Sequence, residues 1–383
     1  VNTCEQGADP LGYTEGATDK ELAHVNLDYV FETYGYPHMV GHRHSLANGL
    51  YNGCLLHPEA ITFHFSATTS PLTFSPRPSF LVTPRDPSIP AYKVEADLIL
   101  GADGIKSATR QAMLKEIGAV GEVLDTTQAA YRILLHRSQL AHDPELLALV
   151  SSEKVTRWIG ERRHLIAYPI SSNTIYNIST TQPDVNFAGA PNSTYTTKAD
   201  KKVMLNVFSD FAPVVRRLLD LAPEGEVCEW KLRIHEPLPT WVHGSVALVG
   251  DACHPTLPHL AQGAAQAIED AAVLGVVLGK LLTKEIAPTP ESINRCMRVY
   301  EKIRKERAEK LVEWAAASAR ELHLAEGREK EERDRVFEEA RKKGGKSRVP
   351  DKWADSEVQK VVYGVDVWKD AEGAFAELYK SLE

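Results

Sequence analysis

The stretch from Gly250 to Asp270 limits what this chain can fold into more than any other. A short apolar strand is expected over Ser245–Val249, and it ends in Gly250-Asp251. A loop punctuated by Pro255 and Pro258 follows, and a long helix rich in Ala, Leu and Val is expected from Gly263 to Leu282. This arrangement sets an acidic side chain near a bare helix N-terminus. The carboxylate can accept hydrogen bonds from sugar-like hydroxyls, and the unpaired N–H groups of the first helical turn can hold negative charge. The segment therefore suits a polyhydroxylated, anionic ligand.

The totals set the outer limits. With 383 residues, 43% hydrophobic and 25% charged, the chain can build a large core or two linked domains. A net charge of −8 gives a nucleic-acid role no electrostatic support. The five cysteines, Cys4, Cys54, Cys228, Cys253 and Cys296, are scattered and odd in number. That pattern argues for a reducing, cytoplasmic home. No apolar run reaches membrane-spanning length, and the opening residues resemble neither a signal nor a transit peptide. Cys253-His254 has no further ligands at suitable spacing, so no metal site is expected. Gly344-Gly345-Lys346-Ser347 reads as a loop, because the upstream glycine of a phosphate-binding loop is absent.

Along the chain, helical spacing is expected over Glu21–Tyr34 and His44–Leu56, and strands over Ile61–Phe65, Ser79–Thr83 and Lys93–Leu100. A tight turn, Gly101-Ala102-Asp103-Gly104, leads into a helix from about Ser107. Ala129–His136, Val155–Ile159, Arg163–Ile170 and Ile175–Thr180 read as one antiparallel sheet with one wet face. A helix over Lys198–Leu221 and a strand over Glu229–His235 follow. Ile293–Lys343 is dominated by Glu, Lys, Arg and Ala, which predicts long, mostly exposed helix.

Three segments carry chemistry. Arg43 stands in Gly41-His42-Arg43-His44-Ser45-Leu46; alone, an arginine there is better explained by a surface ion pair. In Gly101–Arg110, glycines on either side of Asp103 let backbone approach a ligand closely, although a simple β-turn has the same look. The third is the Gly250–Asp270 segment. In this order the three resemble the motifs of the FAD-dependent aromatic hydroxylases, the group-A flavoprotein monooxygenases, and most nearly their salicylate-hydroxylase-like branch. The resemblance runs from about Gly35 to about Ala319. Trp158–Gly160 and His164–Ile170 resemble that branch's central sheet, and Tyr300, Arg304 and Arg307 lie on a helix like the one after its Gly-Asp helix.

The resemblance implies an α/β fold: a Rossmann-like FAD-binding domain, N-terminally incomplete, an antiparallel substrate-binding sheet, and a helical C-terminal region. The expected parts are residues 1–125 and 241–285 for FAD, 126–240 for substrate, and 286–383 for the helical region. It implies that Arg43 contacts FAD near its pyrophosphate and ribityl chain, and that Asp103 helps place the pyrophosphate and the nicotinamide donor. Asp251, after Gly250, would bond a ribityl hydroxyl, Pro258 would lie against the isoalloxazine, and Gly263 and Ala264 would offer N–H groups to the flavin N1–C2=O edge. The implied activity uses NADH or NADPH and O2 to hydroxylate a small phenolic or aromatic acid through a flavin C4a-hydroperoxide. Arg132 and Tyr168 are the candidates for activating the phenol; the plain alternatives are a paired strand arginine and a packed tyrosine. His254 and His259 flank the loop and read as structural before proton-carrying.

The chain departs from that family in one respect: no G-x-G-x-x-G occurs in it. The expectation is a chain lacking that segment, which holds FAD poorly by itself. The alternative is a non-catalytic remnant acting, if at all, through protein contacts. The sequence leaves open the substrate, the nicotinamide donor and the oligomeric state.

Overall fold

Alternation marks the main strands, and the long helices carry apolar residues spaced three and four apart. From the N-terminus of the computed structural model, the chain runs through β1 (Glu5–Gly7), β2 (Leu11–Glu15), β3 (Glu21–Val25), α1 (Tyr29–Tyr34), β4 (Met39–Val40) and α2 (Arg43–Cys54). A meander follows, β5 (Ala67–Thr69), β6 (Ser79–Pro84) and β7 (Tyr92–Glu95), then β8 (Ile99–Gly101) and α3 (Ala108–Glu116). The middle carries β9 (Val123–His136), α4 (Arg137–Leu140), α5 (Pro144–Ser151), β10 (Val155–Gly160), β11 (Arg163–Ile170), β12 (Ile175–Pro183), β13 (Thr196–Lys198), α6 (Lys201–Val207), α7 (Pro213–Asp220) and β14 (Cys228–His235). Next come β15 (Val242–His243), β16 (Val246–Leu248), 3-10 turns at Gly250–Ala252 and Pro258–Leu260, and α8 (Gly263–Leu282). The chain closes with α9 (Pro290–Leu322), α10 (Arg328–Lys342), α11 (Ser356–Tyr363) and α12 (Val367–Ser381). The structure describes residues 5–7, 11–27, 29–70, 72–75, 77–185, 194–342 and 349–382.

The chain divides into two units. The first comprises Val1–Thr62, Thr126–Leu232 and Ser318–Gly364. Its sheet has the strand order β13-β14-β9-β12-β11-β10-β2-β3. One face packs Tyr131, Ile133, Trp158, Leu165, Tyr176 and Ile178 into a core with Met204, Phe208, Val215 and Leu218 from α6, its C-cap and α7. Each such fully buried large side chain is worth roughly 1.5–3 kcal/mol. The opposite face carries Tyr13, Arg157, His164, Ile166, Tyr168, Asn177, Ser179 and Arg132 by the register of β2, β10, β11, β12 and β9. The C-terminal segment covers part of that face. Asp351 accepts from the Tyr13 hydroxyl (2.8 Å) and pairs with Arg157, and His164 bonds His323 (2.6 Å).

The second unit comprises Phe63–Asp125, Arg233–Ala317 and Val365–Glu383. Its sheet order is β15-β16-β8, with β16 parallel to β8. Trp241, Leu248, Val273, Val277, Met297 and Phe375 share its core. At Gly275 of α8 an added Cβ would stand 3.3 Å from the Trp368 ring of α12, so glycine lets these two helices meet closely. Among the described residues, no helix is long and apolar enough to cross a membrane.

Several expected elements come out differently. Glu21–Tyr34 is not helical throughout: β3 pairs antiparallel with β2 before α1 begins. Ile61–Phe65 forms no strand, despite its alternation, and Phe65 is exposed. Lys93–Leu100 is two strands, because β7 pairs antiparallel with β6 and β8 parallel with β16. The expected antiparallel pairing of β9, β12, β11 and β10 is present, but the sheet extends beyond it, since β10 also pairs in parallel with β2. Lys198–Leu221 breaks into α6 and α7, because Pro213 forces Ala212 into an extended conformation and the Ala212 N–H bonds Gly16 O (2.7 Å). The charged C-terminal helix is not mostly exposed: Ile293, Met297, Tyr300, Arg304 and Ala308 of α9 are buried. The 344–347 loop lies outside the described residues.

Candidate functional site

In the second unit the two motif turns stand side by side. Parallel pairing sets Leu248 opposite Gly101, and the Val249 N–H reaches Gly101 O (3.0 Å). Past β8, the exposed Asp103 accepts from the Ser107 hydroxyl (2.5 Å) and from the Thr109 N–H (3.0 Å). Burial works to raise its pKa, but those two donors outweigh it and hold the carboxyl below its ordinary value. Ser107 also caps α3 by accepting from the Arg110 N–H (2.8 Å). A Cβ at Gly101 would fall 2.5 Å from Thr109, so only glycine admits this packing of strand end on helix. The buried Arg110 donates to Ile105 O (2.7 Å) and Ala252 O (3.0 Å), which ties one turn to the other.

Past β16, Gly250 turns with φ +62°, a conformation that favours glycine, and Asp251 is exposed. Pro258 is half-buried in the second 3-10 turn. That turn ends at Ala261 with φ +54°, and α8 then starts at Gly263. The N-cap residue, Gln262, makes no side-chain cap. The first-turn N–H groups, those of the half-exposed Gly263 and the exposed Ala264 among them, have no partner among the described residues and are open to a ligand or water.

Behind the turn lies a cluster the sequence reading missed. Asp270 of α8, fully buried, accepts from the Gly250 N–H (2.9 Å), from His254 Nε2 (2.7 Å) and from Arg304 Nε (2.9 Å). Burial tends to raise its pKa, yet His254 and Arg304 prevail and hold it low. As the carboxylate is ionised, the imidazole must be the donor. Arg304 also donates to the Gln266 side chain (2.7 Å) and pairs with Glu269, to which Arg307 adds two bonds of 2.8 Å. The only outward sign was the Glu269-Asp270 pair set in an Ala-rich helix, with two arginines three apart on the next helix. Cys253, His254 and Asp270 present ligand atoms within 4.8 Å of one another. They are engaged otherwise: the carboxylate is filled by three donors, and burial pushes the Cys253 thiol well up, keeping it protonated. His259 is buried.

Arg43, Arg132 and Tyr168 belong to the first unit. Arg43 opens α2, on the exposed side. Arg132 of β9 stands opposite Ser179, and Tyr168 of β11 opposite Asn177. The Arg132 side chain reaches the surface yet is flanked by enough protein that desolvation is the largest influence on it and lowers its pKa. Tyr168 opposes that shift and the Arg43 cation adds to it. Burial raises the Tyr168 phenol, against a lowering pull from Arg132, so Tyr168 remains a hydrogen-bond donor at neutral pH. No carboxylate among the described residues pairs with Arg132.

The residues present fit a flavin dinucleotide. The second unit offers an exposed carboxylate at each of two adjacent strand ends and an uncapped helix N-terminus. The FAD binding domain family matches residues 226–315. An FAD-dependent monooxygenase of Nectria sp, ntnJ, is 35% identical over 283 residues, 74% of this chain. The chain spans 62% of that relative's length, less than two thirds. Hispidin-3-hydroxylase of Neonothopanus nambi is 32% identical over 358 residues, covering 86% of this chain and 78% of the relative. The fold is that of a salicylate hydroxylase solved with substrate, with a TM-score of 0.73 at 22% identity over 98% of this chain and 84% of the other. By that likeness along its length and by its motifs, the chain belongs to the FAD-dependent aromatic hydroxylases.

Proposed function

We propose that the protein is an FAD-dependent, NAD(P)H-consuming monooxygenase that hydroxylates a small phenolic or aromatic acid. The observation that carries this reading is the uncapped start of α8 beside exposed Asp251, with Asp270 holding the turn from behind. Reduced flavin is negatively charged at its N1–C2=O edge, and a helix N-terminus stabilises charge there. When bound, FAD supplies the redox chemistry with dioxygen; the protein binds, orients and excludes water.

In this reading Asp251 accepts from a ribityl hydroxyl, Gly263 and Ala264 donate N–H groups to the flavin edge, and Pro258 packs on its ring. Asp103 and Arg43 serve the pyrophosphate side. Arg132 attracts the substrate's anionic group, and Tyr168 donates to a phenolic oxygen or holds its proton. Residues 1–125 and 241–285 form the cofactor part, 126–240 the substrate part and 286–383 the helical flank. Hydroxybenzoates, salicylate and hydroxypyridine acids should stimulate NAD(P)H consumption by the FAD-loaded protein, and label from dioxygen should enter the product. Turnover that yields only hydrogen peroxide with every compound would refute hydroxylation.

A further inference from the structure

β12 is a central strand with two unlike faces. Tyr176 and Ile178 enter the core, and the Thr180 hydroxyl accepts from the Tyr131 N–H (2.9 Å) while donating to Gln182 (2.6 Å). Asn177, Ser179 and Thr181 alternate with them and project the other way, on the face that carries Arg132 and Tyr168. Asn177 and Ser179 are half-buried, and neither side chain bonds another described residue. The Thr181 hydroxyl is buried and also lacks a partner among the described residues. Polar groups placed mid-sheet with their hydrogen bonds unmade are costly, roughly 1–3 kcal/mol each where water is excluded. A strand that needed only to pack here would carry Val or Ile.

Register gives the stripe dimensions. Asn177 and Ser179 lie about 7 Å apart along the strand, and each is flanked at about 5 Å by its neighbour across the ladder, Tyr168 and Arg132 respectively. Leu134 stands opposite Asn177 on the other side and supplies an apolar edge. The patch is the size of one substituted aromatic ring. It has a cation for the anionic group, a phenol for one oxygen substituent, and an amide and a hydroxyl for another.

We infer that Asn177 and Ser179 determine substrate choice by hydrogen-bonding a second oxygen substituent, so that the substrate class is aromatic rings bearing at least two oxygens besides any carboxylate. The inference rests on the proposed role of Arg132 and Tyr168 as the substrate side. Dissociation constants for 3-hydroxybenzoate and the 2,3-, 2,5-, 3,4- and 3,5-dihydroxybenzoates, measured on the FAD-loaded full chain, test it without requiring turnover. The wild type should bind at least one dihydroxy isomer about fivefold more tightly than the monohydroxy compound, the worth of one net hydrogen bond. In Asn177→Leu or Ser179→Ala that preference should shrink below twofold, with the monohydroxy affinity and the melting temperature held. A wild type without preference, or a preference that survives both substitutions, overturns the inference and leaves the role of Arg132 and Tyr168 standing. A wild type that binds none of the five compounds overturns both.

Discussion

Asp270 shows how one side chain can make a turn and a helix act as a unit. A carboxylate with no exposure is tolerated in an apolar helix only because three donors surround it. Asp270→Ala leaves the Arg304 guanidinium only Glu269 and Gln266, and strips the buried His254 imidazole and the Gly250 N–H of their acceptor. It should cost about 3–5 kcal/mol in urea unfolding, with flavin affinity falling as well; a loss below 1 kcal/mol would contradict this account. Tyr168 tests the chemistry instead. Tyr168→Phe removes the phenolic donor and keeps the ring, so product formed per NAD(P)H consumed should drop while the melting temperature holds. Unchanged coupling would remove Tyr168 from the substrate site.

At the scale of elements, the C-terminal segment is pinned to the first unit's sheet by polar groups where apolar packing alone would not fix its position. Asp351 takes both the Tyr13 hydroxyl of β2 and the Arg157 guanidinium of β10, and all three are buried. Asp351→Ala leaves the arginine buried and unmatched, and should lower stability by about 3–5 kcal/mol, read as the urea midpoint. At the end of α9, His323 meets His164 of β11, and burial, with the Arg157 and Arg333 cations, pushes its pKa from 6.5 down to about 3. The folded state therefore keeps His323 neutral where the unfolded chain takes up a proton. Its contribution is complete above pH 6.5 and is lost progressively as pH falls toward 3. Between pH 7 and 5 that amounts to about 2 kcal/mol. His323→Gln should flatten the wild type's pH dependence by that amount, whatever it does to stability at pH 7; an unchanged slope would mean that His323 protonates in the fold.

For the molecule as a whole, the two units divide the proposed labour. The second carries Asp103, Gly250, Asp251, Pro258, Gly263 and Ala264, and the first carries Arg43, Arg132 and Tyr168. None of these is a cysteine or histidine set for attachment to a flavin, so the cofactor should be held without a covalent link. Acid precipitation of the FAD-loaded protein should release all the flavin to the supernatant, and yellow colour retained in the washed pellet would refute it.

Pieces whose signals are short-range are legible in the residues alone. Gly263–Leu282 was legible as a helix because its apolar spacing and its glycine start are local, and Arg43–Cys54 was nearly so. The turns at Asp103 and Asp251 are marked by their glycines, and the order of the three motifs points to the family. Long-range pairing was not legible. Lys93–Leu100 looks like one strand because alternation says nothing about which partner each half will find, antiparallel β6 or parallel β16. The run of charge over 293–343 looked solvated because composition cannot show that Arg304 reaches across to Asp270, 34 residues earlier, where a buried carboxylate makes burial of the cation tolerable. Asn177 and Ser179 carry no motif at all. Only strand register sets them beside Tyr168 and Arg132, because side chains on neighbouring strands share a face when their residues are paired.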